Sequence, residues 1–315
     1  MNTPFFQLRW QQLHHPVLIE TNTELWICHL DCQVQAAAGN KWLKLKYHIQ
    51  QIQQHDQIGI VTFGGAFSNH LSAVAAAGKA FGFKTKAIIR SHCPDLNNPT
   101  LQQCAADGME LIFVDAATYR LRHDPIYLDE LSKQFPHYLI VPEGGSNELA
   151  LGGFLEINFA TTPNGPADLI VCATASGGTV AGIVQQQSRQ TKPCKVLGIE
   201  VVKDLSLPAK IEELCPLHKK IWQLFPDISG KKYGHFDRKT LDFCLEMAEL
   251  SLYLEPIYTG KALRSLFWHL QQTRTAQVRR VTFFHTGGLQ GLAGLGYQKY
   301  ISQQELNSLK PNQLG

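Results

Sequence analysis

No hydrophobic stretch of this 315-residue sequence approaches the roughly 20 residues that a membrane-spanning helix needs. The start, Met1-Asn2-Thr3-Pro4, lacks the basic residues and apolar core of a signal peptide. Cysteine is scarce: eight residues in a chain this long do not suggest a disulfide scaffold. No charge of one sign dominates. The 29 basic and 26 acidic residues are spread along the chain for a net +3, which gives no electrostatic reason to expect nucleic acid or an anionic membrane as partner. Low-complexity tracts are absent, and 44% of the residues are hydrophobic, enough to build the core of one large or two modest domains. A soluble cytoplasmic protein is the expectation.

Two nucleotide fingerprints are missing as well. No Gly-Lys-Ser/Thr follows a glycine turn, and no Gly-x-Gly-x-x-Gly with a later acidic residue follows a strand. The glycines from Gly287 to Gly296 have other spacings. Cys28, His29 and Cys32 could offer soft ligands to a metal. They fall in or beside the apolar run Leu25–Leu30, however, where neighbours on a strand point to opposite faces. No second ligand pair follows at zinc-site spacing, so buried thiols and no metal are expected.

What is present is a rhythm. Short apolar runs at 58–63, 86–89, 111–114, 138–141, 169–172, 196–199 and 281–284 read as strands, and 69–81 and 99–107 as helices. Runs that are apolar throughout suit parallel strands buried on both faces, so the class is α/β, an open doubly wound sheet or two of them. The stretch 205–234 breaks the rhythm and reads as an inserted excursion or a mobile segment.

Glycine-rich turns recur where the strands end: Gly64-Gly65 with Ser68-Asn69-His70, Gly144-Gly145-Ser146-Asn147, Ser176-Gly177-Gly178-Thr179 and Thr286-Gly287-Gly288. In open α/β sheets ligands bind beyond the carboxyl ends of the strands, and these turns imply backbone that closely surrounds one. Ala175-Ser176-Gly177-Gly178-Thr179 opens a helix, so its N–H groups, hydroxyls and helix dipole form a cup for a single phosphate. The other reading is a turn whose Ser and Thr merely cap the helix. Trp42, Leu45, Ile49 and Ile52 form an apolar stripe, so a helix begins near Asn40, a natural N-cap. Lys41 would stand in its first turn, where the dipole disfavours an ammonium and lowers its pKa, as a Schiff-base lysine requires. Taken alone, Lys41, Lys44 and Lys46 read as solvated surface charges.

Taken together, Gly39-Asn40-Lys41 with Lys44, Ser68-Asn69-His70, Gly144-Gly145-Ser146-Asn147, Glu255-Pro256-Ile257-Tyr258-Thr259-Gly260-Lys261 and His285-Thr286-Gly287-Gly288 resemble one enzyme family. It is the fold-type II, tryptophan-synthase-β-like pyridoxal-phosphate enzymes, in their 1-aminocyclopropane-1-carboxylate deaminase/D-cysteine desulfhydrase branch. The resemblance runs from about Glu24 to Tyr297. It implies two open, doubly wound, mostly parallel sheets with pyridoxal 5'-phosphate in the interdomain cleft. The smaller domain would span 47–145, and the larger 1–46 plus 146–315. It further implies that Lys41 carries the cofactor, that Lys44 and the cup from Ala175 through Ser176, Gly177 and Gly178 to Thr179 hold the phosphate, and that Asn69 bonds the ring oxygen. Ser68 would be a catalytic hydroxyl, Tyr258 and Tyr233 would flank the substrate, and Thr286 would sit by the ring nitrogen. A homodimer acting on a small amino acid is implied too.

Ring-opening members of the branch carry Glu and Leu where this chain has Thr259 and Thr286, which points to α,β-elimination from D-cysteine, giving pyruvate, ammonia and sulfide. The expected course takes the substrate onto the cofactor at Lys41 and removes the Cα proton through Lys41 or Ser68. Ring opening, another small amino acid dehydration, a non-catalytic cofactor-binding protein and a nucleotide-binding protein are the competing readings. Cys28-His29-Leu30-Asp31, Phe67 and His235-Phe236-Asp237-Arg238 depart from the branch, where Lys-Arg-Asp-Asp, Gln and Pro-Asn-Glu-Gly are usual. Phe67 and the 233–238 stretch, expected near the substrate, leave its identity open.

Overall fold

The structure, a computed structural model, describes residues 6–91, 93–216, 221–232, 234–274 and 279–311. Its strands are β1 (Phe6–Leu13), β2 (Thr23–Cys32), β3 (Gly59–Gly64), β4 (Lys84–Arg90), β5 (Met109–Val114), β6 (Tyr138–Val141), β7 (Thr161–Thr162), β8 (Gly165–Pro166), β9 (Leu169–Thr174), β10 (Lys195–Glu200), β11 (Trp222–Pro226) and β12 (Arg279–His285). One sheet has the order β1-β2-β12-β9-β10-β11 and the other β5-β4-β3-β6, while β7 and β8 form a small ribbon. Every neighbouring pair in the two large sheets is parallel except β1 with β2.

The apolar runs explain this arrangement. β3 and β9 are buried along their whole length, so they accept helices on both faces. Successive residues then feed different cores. Ile170 and Cys172 join Ile60, Leu71 and Ile89 in one core shared by the two sheets, whereas Val171 and Ala173 turn to a second core with Leu263 and Leu266. Val61 and Phe63 line a third, with Tyr119 and Leu131. The stripe Trp42, Leu45, Ile49 and Ile52 lies in the shared core, which seats the helix Asn40–Gln54 between the sheets. Cys28 is buried in the shared core while Ile27 enters the second, so the strand alternation predicted for Cys28 and His29 holds. No cluster of potential metal ligands occurs among the described residues.

Two expectations need correction. The stretch 205–234 is not an excursion from the fold. It supplies the helix Leu207–Leu214 and the edge strand β11, which continues the large sheet in parallel beside β10. An edge strand with Gln223 and Pro226 in it is only partly buried, so it shows neither an unbroken apolar run nor strict alternation. Asn40 is also not the N-cap: Gly39 takes that place at φ 75° and ψ −141°, and Asn40 is the first helical residue. Among the described residues no helix is long and apolar enough to cross a membrane.

Candidate active site

The glycine turns lie beyond the carboxyl ends of β3, β6, β9 and β12, and Lys41 follows β2 through a short connection. They meet. An added Cβ on Gly39 would fall 2.4 Å from the carbonyl carbon of Thr286, and the Asn40 N–H donates to the Thr286 carbonyl at 3.3 Å. Backbone this close, at a positive φ, admits only glycine. Asn40, freed from capping, is buried and donates from Nδ2 to Oγ1 of Thr179 at 2.9 Å. The start of the lysine helix is thereby tied to the phosphate-cup candidate and to the turn after β12.

Lys41 stands in the first turn of its helix, partly buried, and burial lowers its pKa to about 8. Lys44, one turn on, is 2% exposed. Its Nζ donates to the Gly144 carbonyl at 3.1 Å, Ser146 Oγ at 2.8 Å and Ser176 Oγ at 3.3 Å. Burial first, and then the charge of Lys41, pushes its pKa well below the usual lysine range. Two adjacent lysines are thus held where the neutral amine is favoured.

Ser176, Gly177, Gly178 and Thr179 follow β9 as expected, with Ala175 leading in, and Gly178 begins the helix Gly178–Gln187. Gly177 is its N-cap at φ 82° and offers no side chain, so the first N–H groups of the helix have no side-chain cap. Ser146 and Ser176 share a hydrogen bond of 2.8 Å, and a Cβ on Gly178 would come 2.4 Å from Ser146 Oγ. Ser146 therefore belongs to the cup, although only its place in a Gly-Gly-Ser-Asn turn signalled it.

Ser68 caps the helix Asn69–Phe81, its Oγ accepting from the N–H groups of His70 and Leu71 at 3.2 and 3.4 Å. The hydroxyl that resemblance makes catalytic thus has a structural task, with its proton still available. The Asn69 amide reaches the turn after β12: a Cβ at Gly288 would lie 3.1 Å from its Nδ2, and one at Gly291 3.2 Å from its Oδ1. Thr286 is buried at the head of that turn. His285 before it is locked. Its Nδ1 accepts the Gly287 N–H at 3.2 Å, so Nε2 carries the proton and donates to the Tyr253 carbonyl at 2.9 Å.

Tyr258 is partly buried and immediately precedes the helix Thr259–Gln272, while Thr259 is fully buried. Tyr233 lies outside the described residues. Phe67 packs against the helix Leu292–Tyr297: a Cβ on Gly294 would fall 2.6 Å from its Cδ1. Sequence reasoning gave no role to Glu255. This buried carboxyl lies against Gly288 and has its pKa raised to about 7 by burial.

Comparison with known proteins bears on the family and the fold. The D-cysteine desulfhydrase of Yersinia enterocolitica is 27% identical over 296 residues, 85% of this chain and 88% of that protein. The mitochondrial bifunctional D-cysteine desulfhydrase/1-aminocyclopropane-1-carboxylate deaminase of Arabidopsis thaliana is 26% identical over 317 residues, 87% of this chain and 74% of that protein. A crystal structure of an ACC deaminase homologue superposes with a TM-score of 0.78 at 22% identity, covering 96% of this chain and 94% of the other. That last likeness concerns the fold. The profile of one family, described as pyridoxal-phosphate dependent enzyme, matches residues 2–287. The chain belongs to the family of pyridoxal-phosphate dependent enzymes.

Proposed function

We propose that this enzyme is a deaminating lyase acting on D-cysteine, with pyruvate, ammonia and sulfide as products. One observation carries the reading. Lys41, its pKa drawn down to about 8, shares a site with a glycine-and-hydroxyl cup linked to it through Asn40 and Lys44.

The residues fit pyridoxal 5'-phosphate. Gly177, Gly178, Ser176 and Thr179 would hold a phosphate with free N–H groups at a helix N-terminus, and Lys44 would add a donor through the same hydroxyls. Lys41 would anchor the cofactor, Asn69 would reach its ring and Thr286 would close the far side. When bound, the cofactor supplies an electron sink for negative charge at the substrate Cα. The protein's part is then proton handling. At neutral pH the Lys41 amine loses its proton more readily than an ordinary lysine, so it can serve as a base and later return the proton. Ser68, with its hydroxyl proton uncommitted, is the second candidate for relaying it. Tyr258 would face the substrate from the opposite side, with Tyr233 as its proposed companion.

For D-cysteine the Cα–H bond breaks to the base, the Cβ–S bond breaks with its electron pair leaving on sulfur, and the released 2-aminoacrylate reacts with water to give pyruvate and ammonia. Thiolate is a good leaving group, so no carbon–carbon bond need break. The name of the Yersinia relative and the hydroxyl residues Thr259 and Thr286 support elimination, while the Arabidopsis relative's name carries both activities. The division into lobes 47–145 and 1–46 plus 146–315 is likewise proposed. It is supported by a four-stranded sheet drawn wholly from 59–141 and a six-stranded one drawn from both ends of the chain. A homodimer is the proposed assembly.

The test is product analysis with purified, cofactor-supplied protein offered D-cysteine, L-cysteine, D-serine and 1-aminocyclopropane-1-carboxylate. Equal amounts of sulfide and pyruvate from D-cysteine are expected, and turnover should fall by at least about 1,000-fold in Lys41→Ala, as for loss of a covalent catalytic group. Preferential release of 2-oxobutyrate from the cyclopropane substrate would replace the D-cysteine reading with ring opening. Failure of borohydride to fix cofactor on Lys41 would sink both.

A further inference from the structure

We infer that Glu255 is a positioning residue for the reaction, clamping the backbone of Tyr258 against the turn Thr286–Gly288. The inference rests on the lyase reading only for the part Tyr258 plays in turnover.

The geometry begins with a helix that lacks an ordinary cap. Tyr258 is the N-cap of Thr259–Gln272 and makes no side-chain cap bond. The unmet N–H groups around it turn instead to Glu255. Oε1 accepts from Tyr258 N at 3.0 Å, Thr259 N at 2.7 Å and Thr259 Oγ1 at 3.0 Å. Oε2 accepts from Ile257 N at 2.8 Å and Tyr258 N at 3.1 Å. The Glu255 N–H donates to Thr259 Oγ1 at 3.1 Å, and the Glu255 carbonyl accepts from Gly260 N at 2.9 Å. One side chain thus holds three consecutive N–H groups, with Tyr258 in the middle.

The same carboxyl lies beside the turn after β12. A Cβ placed on Gly288 would lie 3.6 Å from Cγ and 3.8 Å from Oε1 of Glu255, and 3.1 Å from Nδ2 of Asn69. The Tyr258 turn, the turn after β12 and the Asn69 amide therefore pack around one point. Glu255 is 2% exposed, so water cannot readily replace a lost partner. Burial lifts its pKa to about 7, against the smaller downward pull of the donors around it.

The chemistry singles out the carboxylate and not the shape. Both oxygens accept from at least two donors. A glutamine of the same size must turn its NH2 toward one of those groups, leaving N–H facing N–H at Tyr258 whichever way it flips. An aspartate keeps both acceptors on a shorter arm.

The experiment has two readouts. Amide exchange in the 255–260 segment should quicken about tenfold or more in Glu255→Gln and recover at least partly in Glu255→Asp, while the later turns of the helix stay protected. This measurement needs no turnover, so it stands even if the lyase reading fails. In the cofactor-loaded enzyme, kcat/KM for D-cysteine should fall about tenfold in Glu255→Gln, and Glu255→Gln should add little to Tyr258→Phe. Unchanged exchange, or losses that simply multiply in the double variant, would overturn the proposal. Should Glu255→Gln not fold, Thr259→Val removes one donor to Oε1, and it must loosen the same amides or the proposal falls.

Discussion

Lys41 and Lys44 occupy the same face of one helix and are separated by a single turn, yet burial treats them differently. Lys44 is enclosed and satisfied by Gly144, Ser146 and Ser176, whereas Lys41 is partly open, as its proposed exchange of partners requires. Because the folded pKa of Lys41 is lowered to about 8, its amine is neutral above that pH and charged below it. Whatever stability the neutral side chain contributes is complete above the unfolded value of 10.5 and is lost as pH falls through about 8. In cofactor-free protein the acylation rate of Lys41 should therefore titrate with a midpoint near 8. A midpoint near 10.5, read by peptide mass spectrometry, would show an unperturbed lysine. Lysine in a first helical turn was legible as a candidate from sequence. The partners that enclose Lys44, the neighbour of Lys41, are 100 or more positions away, which no local pattern reports.

At the scale of elements the recurring unit is a buried parallel strand followed by a glycine turn. The pattern was legible for β3, β6, β9 and β12 because their apolar runs are short and end in glycine, and the helix Asn69–Phe81 has the predicted bounds. Gly39 was legible only as part of a motif. Its φ of 75° and its approach to Thr286 show why the position needs glycine. Gly39→Ala should cost about 2 kcal/mol or more of stability from backbone strain alone. It should also displace the Thr286 turn, so a lower denaturation midpoint together with weaker cofactor retention is the expected result. A variant with wild-type values for both would show that the contact relaxes without consequence. β11 escaped notice because edge strands need not be apolar on either face.

Across the whole molecule the two sheets share one core, and the helix carrying Lys41 passes through it. Further contacts join the turn after β3 to the C-terminal part of the chain: Phe67 on Gly294, and Asn69 beside Gly288 and Gly291. Tyr297 also donates to Asp95 at 2.6 Å. Phe67 makes a packing contact with Gly294. Gly294→Ala should accordingly destabilise the protein in the presence of Phe67, by an amount of the order of 1–3 kcal/mol for overpacking, and much less in a Phe67→Ala background. Equal losses in both backgrounds, measured by denaturant unfolding, would argue against that contact.

The sequence by itself determined the fold class and the glycine turns and singled out Lys41 as the proposed anchor, because strand burial and turn chemistry are written in short-range patterns. Only the tertiary structure decided that Asn40 serves Thr179 and not its own helix, that Ser146 joins Lys44 and Ser176, and that Glu255 accepts the N–H groups of the Tyr258 turn. Those assignments depend on which strand ends are brought together. In a parallel sheet that juxtaposition is set by crossovers tens of residues long, so the partners share a site without sharing a stretch of sequence.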